Sequence, residues 1–153
     1  MNPQIVEQLT QLLGERFTTS EYERQQHGKD ESSLKPMPPD GVCFPLTTAE
    51  VSAVVKICYQ HKMPVIPFGA GSSLEGHVFA SHGGITIDMS RMNKILMVSA
   101  DDLDCTVQAG LSRQDLDQHR PGLVSGVCRQ CSTLAADNSA LDMLDDGAGH
   151  IDA

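Results

Sequence analysis

The segment "PVIPFGAGSSLEGH", residues 64–77, places three glycines and two serines directly after an apolar run and ahead of a histidine. A stretch with this much glycine continues neither a helix nor a central strand, so it joins two elements where the backbone itself lies open. Glycines let consecutive backbone N–H groups converge on an anion without side-chain obstruction, and Ser72 and Ser73 add hydroxyl donors. Such a loop suits a pyrophosphate; a plain turn between strands is the other reading of its spacing. Two better-known phosphate loops are disfavoured. Leu74 stands where a dinucleotide G-x-G-x-x-G motif needs its third glycine, and His77 and Val78 follow Gly76 where a P-loop needs Lys and then Ser or Thr.

The flanking sequence decides what the loop connects. Ahead of it, "VCFPLTTAEVSAVVKICYQHKM" opens on a short apolar run. Thr47 with Glu50 then forms a capping-box pattern, and Val51, Val54, Val55 and Cys58 share one helical face. That helix is expected to end near His61, before Pro64. "PVIPF" reads as a strand entering the loop, "GGITIDMS" as a strand leaving it, and "KILMVS" and "CTVQAG" as two more around the acidic turn "ADDLD". A further helix is expected from about Ser112. At the start, Asn2, Pro3 and Gly14 frame an amphipathic helix carrying Ile5, Val6, Leu9, Leu12 and Leu13. Thr18–Asp40, closing on "KPMPPDG", reads as a polar connector. The order predicts a mixed α and β fold with substantial antiparallel pairing.

Charge and composition narrow the function. Eleven Lys plus Arg against 20 Asp plus Glu give a net charge of −9, the wrong sign for binding a nucleic-acid backbone. Aromatic residues make up 4% of the chain and Trp is absent, which argues against a base-stacking platform. No apolar run approaches membrane-spanning length and no signal segment is evident, so the expected compartment is the cytoplasm. Five cysteines, an odd number without a scaffold-like spacing, fit a reducing compartment, and Cys43, Cys58 and Cys105 read as core. Cys128 and Cys131 have the spacing of half a zinc site, with His150 the nearest third candidate; one such pair is weak, and no metal site is assigned. Asp101, Asp102 and Asp104 read as a solvated turn.

Four ordered segments, "HGKDES", "PPDGVCFPLTTAEVSAVVKICYQHKMPVIPFGAGSSLEGH", "GGITIDMSRMNKIL" and "DLDCTVQAGLSRQDLDQH", together resemble one family over about residues 20–119. It is the amino-terminal FAD-binding domain of flavoenzymes of the p-cresol methylhydroxylase or vanillyl-alcohol oxidase type, including cytochrome-linked D-lactate dehydrogenase and the FAD subunit of glycolate oxidase. The resemblance implies an α+β fold, the truncated first lobe of such a domain, built as a small mixed sheet with flanking helices. It implies FAD as cofactor, with Pro67, Phe68, Gly69, Ala70, Gly71, Ser72, Ser73, Leu74, Gly76 and His77 around its pyrophosphate. Asp88, Ser90 and Arg91 fall in a framework strand and turn. The implied reaction is oxidation of a D-2-hydroxy acid, with electrons passing to a cytochrome, a quinone or a partner chain; no catalytic residue is assigned.

Three regions follow: 1–35 as helix and connector, 36–119 as the partial flavin domain, and 120–153 as a tail. Arg120–Ala153 contains no Lys, Glu, Phe or Tyr, and the family pattern stops at His119. Such a break is expected of a frameshift, a fragmentary gene model or a diverged acidic tail. An incomplete flavin domain is expected to retain FAD weakly and to be inactive alone. The alternative is a small interaction module derived from the flavin lobe, whose acidic tail contacts a partner.

Overall fold

The computed structural model describes residues 2–99 and 104–119. The acidic-turn residues Asp101 and Asp102, the pair Cys128 and Cys131, His150 and the rest of the tail lie outside them. The described residues form two compact units that divide at Met92 and Asn93.

In the first unit, α1 (Pro3–Leu13) begins on Asn2, whose side chain accepts from the Gln4 N–H, and stops at Gly14. A short 3-10 turn, Gly14–Arg16, leads into β1 (Phe17–Thr18) and then α2 (Glu21–His27). β2 (Gly41–Cys43) is followed by α3 (Thr48–Gln60), β3 (Val65–Phe68) and β4 (Ile85–Asp88). The sheet order is β1-β2-β4-β3, with β2, β4 and β3 all parallel and only β1 antiparallel to its neighbour. The parallel centre differs from the antiparallel weighting read from sequence. α3 is the crossover between β2 and β3, and a crossover returns the chain in the same direction. β4 then inserts between the two strands that α3 connects.

The register assigns the two faces. Val42, Thr86 and Ile66 form one row, and Cys43, Ile87 and Pro67 the next row on the opposite face. Ile85, Ile87, Val42 and Cys43 are buried, as expected of strands covered on both sides. Cys58 of α3 and Cys43 of β2 are both fully buried. α1 packs on α3, presenting Ile5, Leu9 and Leu13, while α3 buries Val51, Val54 and Cys58. Burying each of these aliphatic side chains is worth roughly 1.5–3 kcal/mol. The opposite face, which carries Thr86 and Asp88, is met by His27 of α2.

The second unit is a hairpin with one helix: β5 (Ile95–Ser99) pairs antiparallel with β6 (Asp104–Val107), and α4 spans Arg113–His119. Leu116 is its buried centre, packed by Ile95, Cys105, Val107 and Leu111. Ser112 caps α4, its hydroxyl oxygen accepting from the Asp115 N–H at 3.1 Å. Among the described residues no helix is long and apolar enough to cross a membrane.

Candidate functional site

β3 and β4 run parallel and end side by side, Phe68 opposite Asp88, and the glycine loop leaves from the carboxyl end of β3. Ligands of parallel α/β sheets bind outside the carboxyl ends of the strands, and here that position is occupied by glycine and serine. The Phe68 carbonyl still accepts from the Met89 N–H at 2.9 Å. Beyond it, the backbone N–H groups of Gly69, Ala70, Gly71, Ser72, Ser73, Leu74 and Glu75 donate no hydrogen bond among the described residues. Seven consecutive donors are thus open to solvent or to an anion.

The loop's shape depends on glycine at Gly71. Its φ is +68°, and a Cβ there would stand 2.7 Å from the Phe68 ring. Any larger residue would be strained by its backbone and would also push the ring. Of the sequence-derived site residues, Pro67 lies exposed within β3 and Phe68 is half-buried at its end. Gly69, Ala70 and Ser72 are exposed on the outer curve, Gly71 and Ser73 are partly covered, and Leu74 stands 65% exposed. Ser73 Oγ and His77 Nδ1 are 2.7 Å apart, so the loop's one hydroxyl–imidazole pair is internal to it. Gly76 is partly covered and closes the loop; its N–H donates to Asp30 Oδ2 at 2.9 Å, and its carbonyl accepts from the Phe79 N–H at 3.0 Å.

Beneath the loop lies a pair that the sequence does not announce. His27 Nε2 is 2.8 Å from Asp88 Oδ2, and His27 Nδ1 is 2.8 Å from the Glu23 carbonyl oxygen. The Glu23 carbonyl can only accept, so Nδ1 carries a proton, and Nε2 shares its hydrogen bond with the Asp88 carboxyl. Burial pulls the His27 pKa down, but the bonds to Asp88 and the Glu23 carbonyl outweigh it, leaving a net rise. Burial likewise pushes Asp88 up, while His27 and the Ser90 N–H, which donates to Asp88 Oδ1 at 2.7 Å, bring it below its usual value. Phe68 and Phe44 wall the imidazole, with centroids 4.5 and 5.7 Å away, and Arg91 lies over Phe44. Asp88 thus joins β4 to α2 through His27. Asp88, His27 and Asp30 come together only in three dimensions; "HGKDES" marked the segment but not these contacts.

The open amide row, the glycine required at position 71 and the position at parallel strand ends fit a diphosphate. A family model described as an FAD binding domain matches residues 39–132. The chain belongs to this family. FAD is accordingly the cofactor of the domain, as the motifs implied. The probable mitochondrial D-lactate dehydrogenase of Danio rerio is 37% identical over 128 residues, covering 77% of this chain and 26% of that protein. D-lactate dehydrogenase [cytochrome] 1, mitochondrial, of Saccharomyces cerevisiae is 40% identical, covering 75% and 21%. Glycolate oxidase subunit GlcD of Bacillus subtilis is 34% identical, covering 73% and 24%. The chain thus spans about a quarter of the length of these curated relatives. Among solved structures, alkyldihydroxyacetonephosphate synthase superposes with a TM-score of 0.71 at 23% identity, over 78% of this chain and 24% of that one. p-Cresol methylhydroxylase superposes with 0.68 at 21%, over 76% and 24%. These likenesses establish the fold, a small mixed sheet with flanking helices of the p-cresol methylhydroxylase type.

Proposed function

We propose that the loop Pro67–His77 holds the diphosphate of FAD, and that this lobe serves an enzyme oxidising a D-2-hydroxy acid of the lactate or glycolate class. The observation that carries the reading is the row of seven uncommitted N–H groups between Gly69 and Glu75, at the carboxyl end of a parallel strand pair, in a chain of the FAD-binding family. The names of the D-lactate dehydrogenase and glycolate oxidase relatives support the substrate class.

In this reading bound FAD would supply the two-electron acceptor for oxidation of the hydroxyl-bearing carbon, with a cytochrome or quinone as the onward acceptor. The chain's own residues bind and orient. Backbone donors of Gly69–Glu75 and the Ser72 hydroxyl would hold the phosphate oxygens; such fixed dipoles need little reorganisation when an anion arrives. Gly71 keeps the inner wall free of a side chain. Ser73 and His77 hold one another, which sets the direction of the His77 ring at the loop's end. The buried His27 ring is not an available base, since both ring nitrogens are engaged and aromatic rings flank it.

Fluorescence titration of FAD with the purified protein tests the cofactor site. Saturable quenching that Gly71→Ala weakens at least tenfold is the expected result; no quenching by the unsubstituted protein would remove the reading. Anaerobic reduction of bound flavin by D-lactate or glycolate tests the substrate class in the longer proteins of the family that carry this loop.

A further inference from the structure

Both ends of the open amide row are held by one short segment, His27–Asp30, which lies outside the loop and some forty to fifty residues earlier in the chain. At the entry, the His27 ring lies 4.5 Å from the Phe68 ring and is tied to Asp88, the residue paired with Phe68 across the sheet. At the exit, Asp30 Oδ2 accepts the Gly76 N–H at 2.9 Å. The other oxygen of Asp30 accepts from the Ser32 N–H at 3.0 Å and from the Ser32 hydroxyl at 2.5 Å. These three donors, the hydroxyl foremost, hold the Asp30 carboxyl below its usual pKa, so it is ionised. The segment is itself anchored: the Gly28 carbonyl accepts from the Met37 N–H at 2.8 Å, and the Met37 carbonyl from the Ala80 N–H at 2.9 Å.

A carboxylate at the rim of an anion-binding loop calls for a reason, because its charge opposes a diphosphate. Its geometry supplies one. Gly76 has φ +75°, a conformation an unconstrained chain leaves readily, and its N–H is the first in the loop to have a protein acceptor. Asp30 thereby closes the row: it takes one donor away from the anion and fixes the direction in which the preceding seven point. We propose that Asp30 is a positioning residue for the cofactor loop, acting through the Gly76 N–H to hold the Gly69–Glu75 amides in a binding-ready arrangement. This rests on the FAD reading for its consequence, though not for its mechanics.

The test compares Asp30→Ala with Asp30→Asn in the full chain. Asparagine keeps one carbonyl acceptor for Gly76 and can donate to Ser32 Oγ, losing only the acceptor of the Ser32 N–H; alanine loses all three. In Asp30→Ala, amide hydrogen exchange at Gly76 and Phe79 is expected to quicken at least tenfold while Ile85, Thr86 and Ile87 in β4 keep their protection, and FAD affinity to fall at least tenfold. In Asp30→Asn, both quantities should stay within about threefold of the parent. Unprotected Gly76 in the parent, unchanged exchange in Asp30→Ala, equal losses in both variants, or β4 exchange rising alongside the loop would each overturn the assignment. If the parent chain bound no FAD at all, the function proposed above would fail, while the exchange data would still decide whether Asp30 orders the loop.

Discussion

At the scale of single residues, the site rests on contacts whose partners are far apart in sequence. His27 and Asp88 are 61 positions apart, and Asp30 and Gly76 are 46 apart, so neither pairing is visible in local spacing. The glycine loop was legible because backbone permissiveness is written in composition; its two struts were not, because a histidine or an aspartate in a polar stretch has no local signature. The His27–Asp88 pair gives a stability profile with a defined sign. The folded pKa of His27 is raised above 6.5, so its contribution is complete below that pH and is lost as the pH rises through the folded value. Asp88 is lowered from 3.8, so its contribution is present above 3.8 and is lost as the pH falls through its folded value. Urea midpoints should therefore hold between about pH 4 and 6.5 and decline on the alkaline side. Asp88→Ala, which leaves the buried His27 ring without its carboxylate partner, should cost about 3 kcal/mol at pH 6 and remove that decline. Thr86 presents the opposite case. Its hydroxyl is buried with no partner among the described residues, so Thr86→Val, which keeps the shape and discards the unsatisfied group, should leave the urea midpoint unchanged or raise it.

At the scale of elements, the sequence was most informative where capping chemistry is local. Asn2, Pro3 and Gly14 bound α1 as their types require, and Thr47 caps α3 by accepting from the Glu50 N–H. β3, β4, β5, β6 and α4 also lie where alternation and Ser112 placed them. α2 and β1 were read as connector: a seven-residue helix and a two-residue strand are too short to show periodicity, and they persist because tertiary contacts hold them. Glu50 does more than its capping pattern suggests. Its carboxylate accepts from the Leu46 N–H at 2.7 Å and from both terminal nitrogens of Arg16 at 2.6 and 2.7 Å, tying the β1 approach to the start of α3. The Arg16 bond, then the Leu46 N–H, bring Glu50 down to about 2 from 4.5. A lowered carboxyl contributes fully above its unfolded value and loses that contribution as the pH falls through the folded one. Glu50→Gln should cost about 1 kcal/mol at neutral pH, a modest value because the pair is partly solvated, and the difference from the parent should shrink as the pH falls from 4.5 toward 2. Thermal melts of the two proteins across that range would show it.

At the scale of the whole molecule, the question is which part of a large dinucleotide this chain can read. The matched span is about a quarter of the relatives' length, and the donors it offers are backbone amides around a loop that suits a diphosphate. The buried His27–Asp88 pair is committed to holding α2 against β4. Binding free energy should therefore come from the diphosphate, which FAD shares with ADP and which riboflavin lacks. A ligand that binds only the folded state raises stability by RT ln(1 + [L]/Kd), about 2.7 kcal/mol at a hundredfold excess over Kd. Thermal melts at matched ligand concentrations should give FAD and ADP comparable upward shifts in Tm and riboflavin none, with Gly71→Ala cutting both shifts by about half or more. A large shift with riboflavin, or one with FAD but none with ADP, would mean that this chain recognises the isoalloxazine end and that the open amide row is not where the cofactor is held.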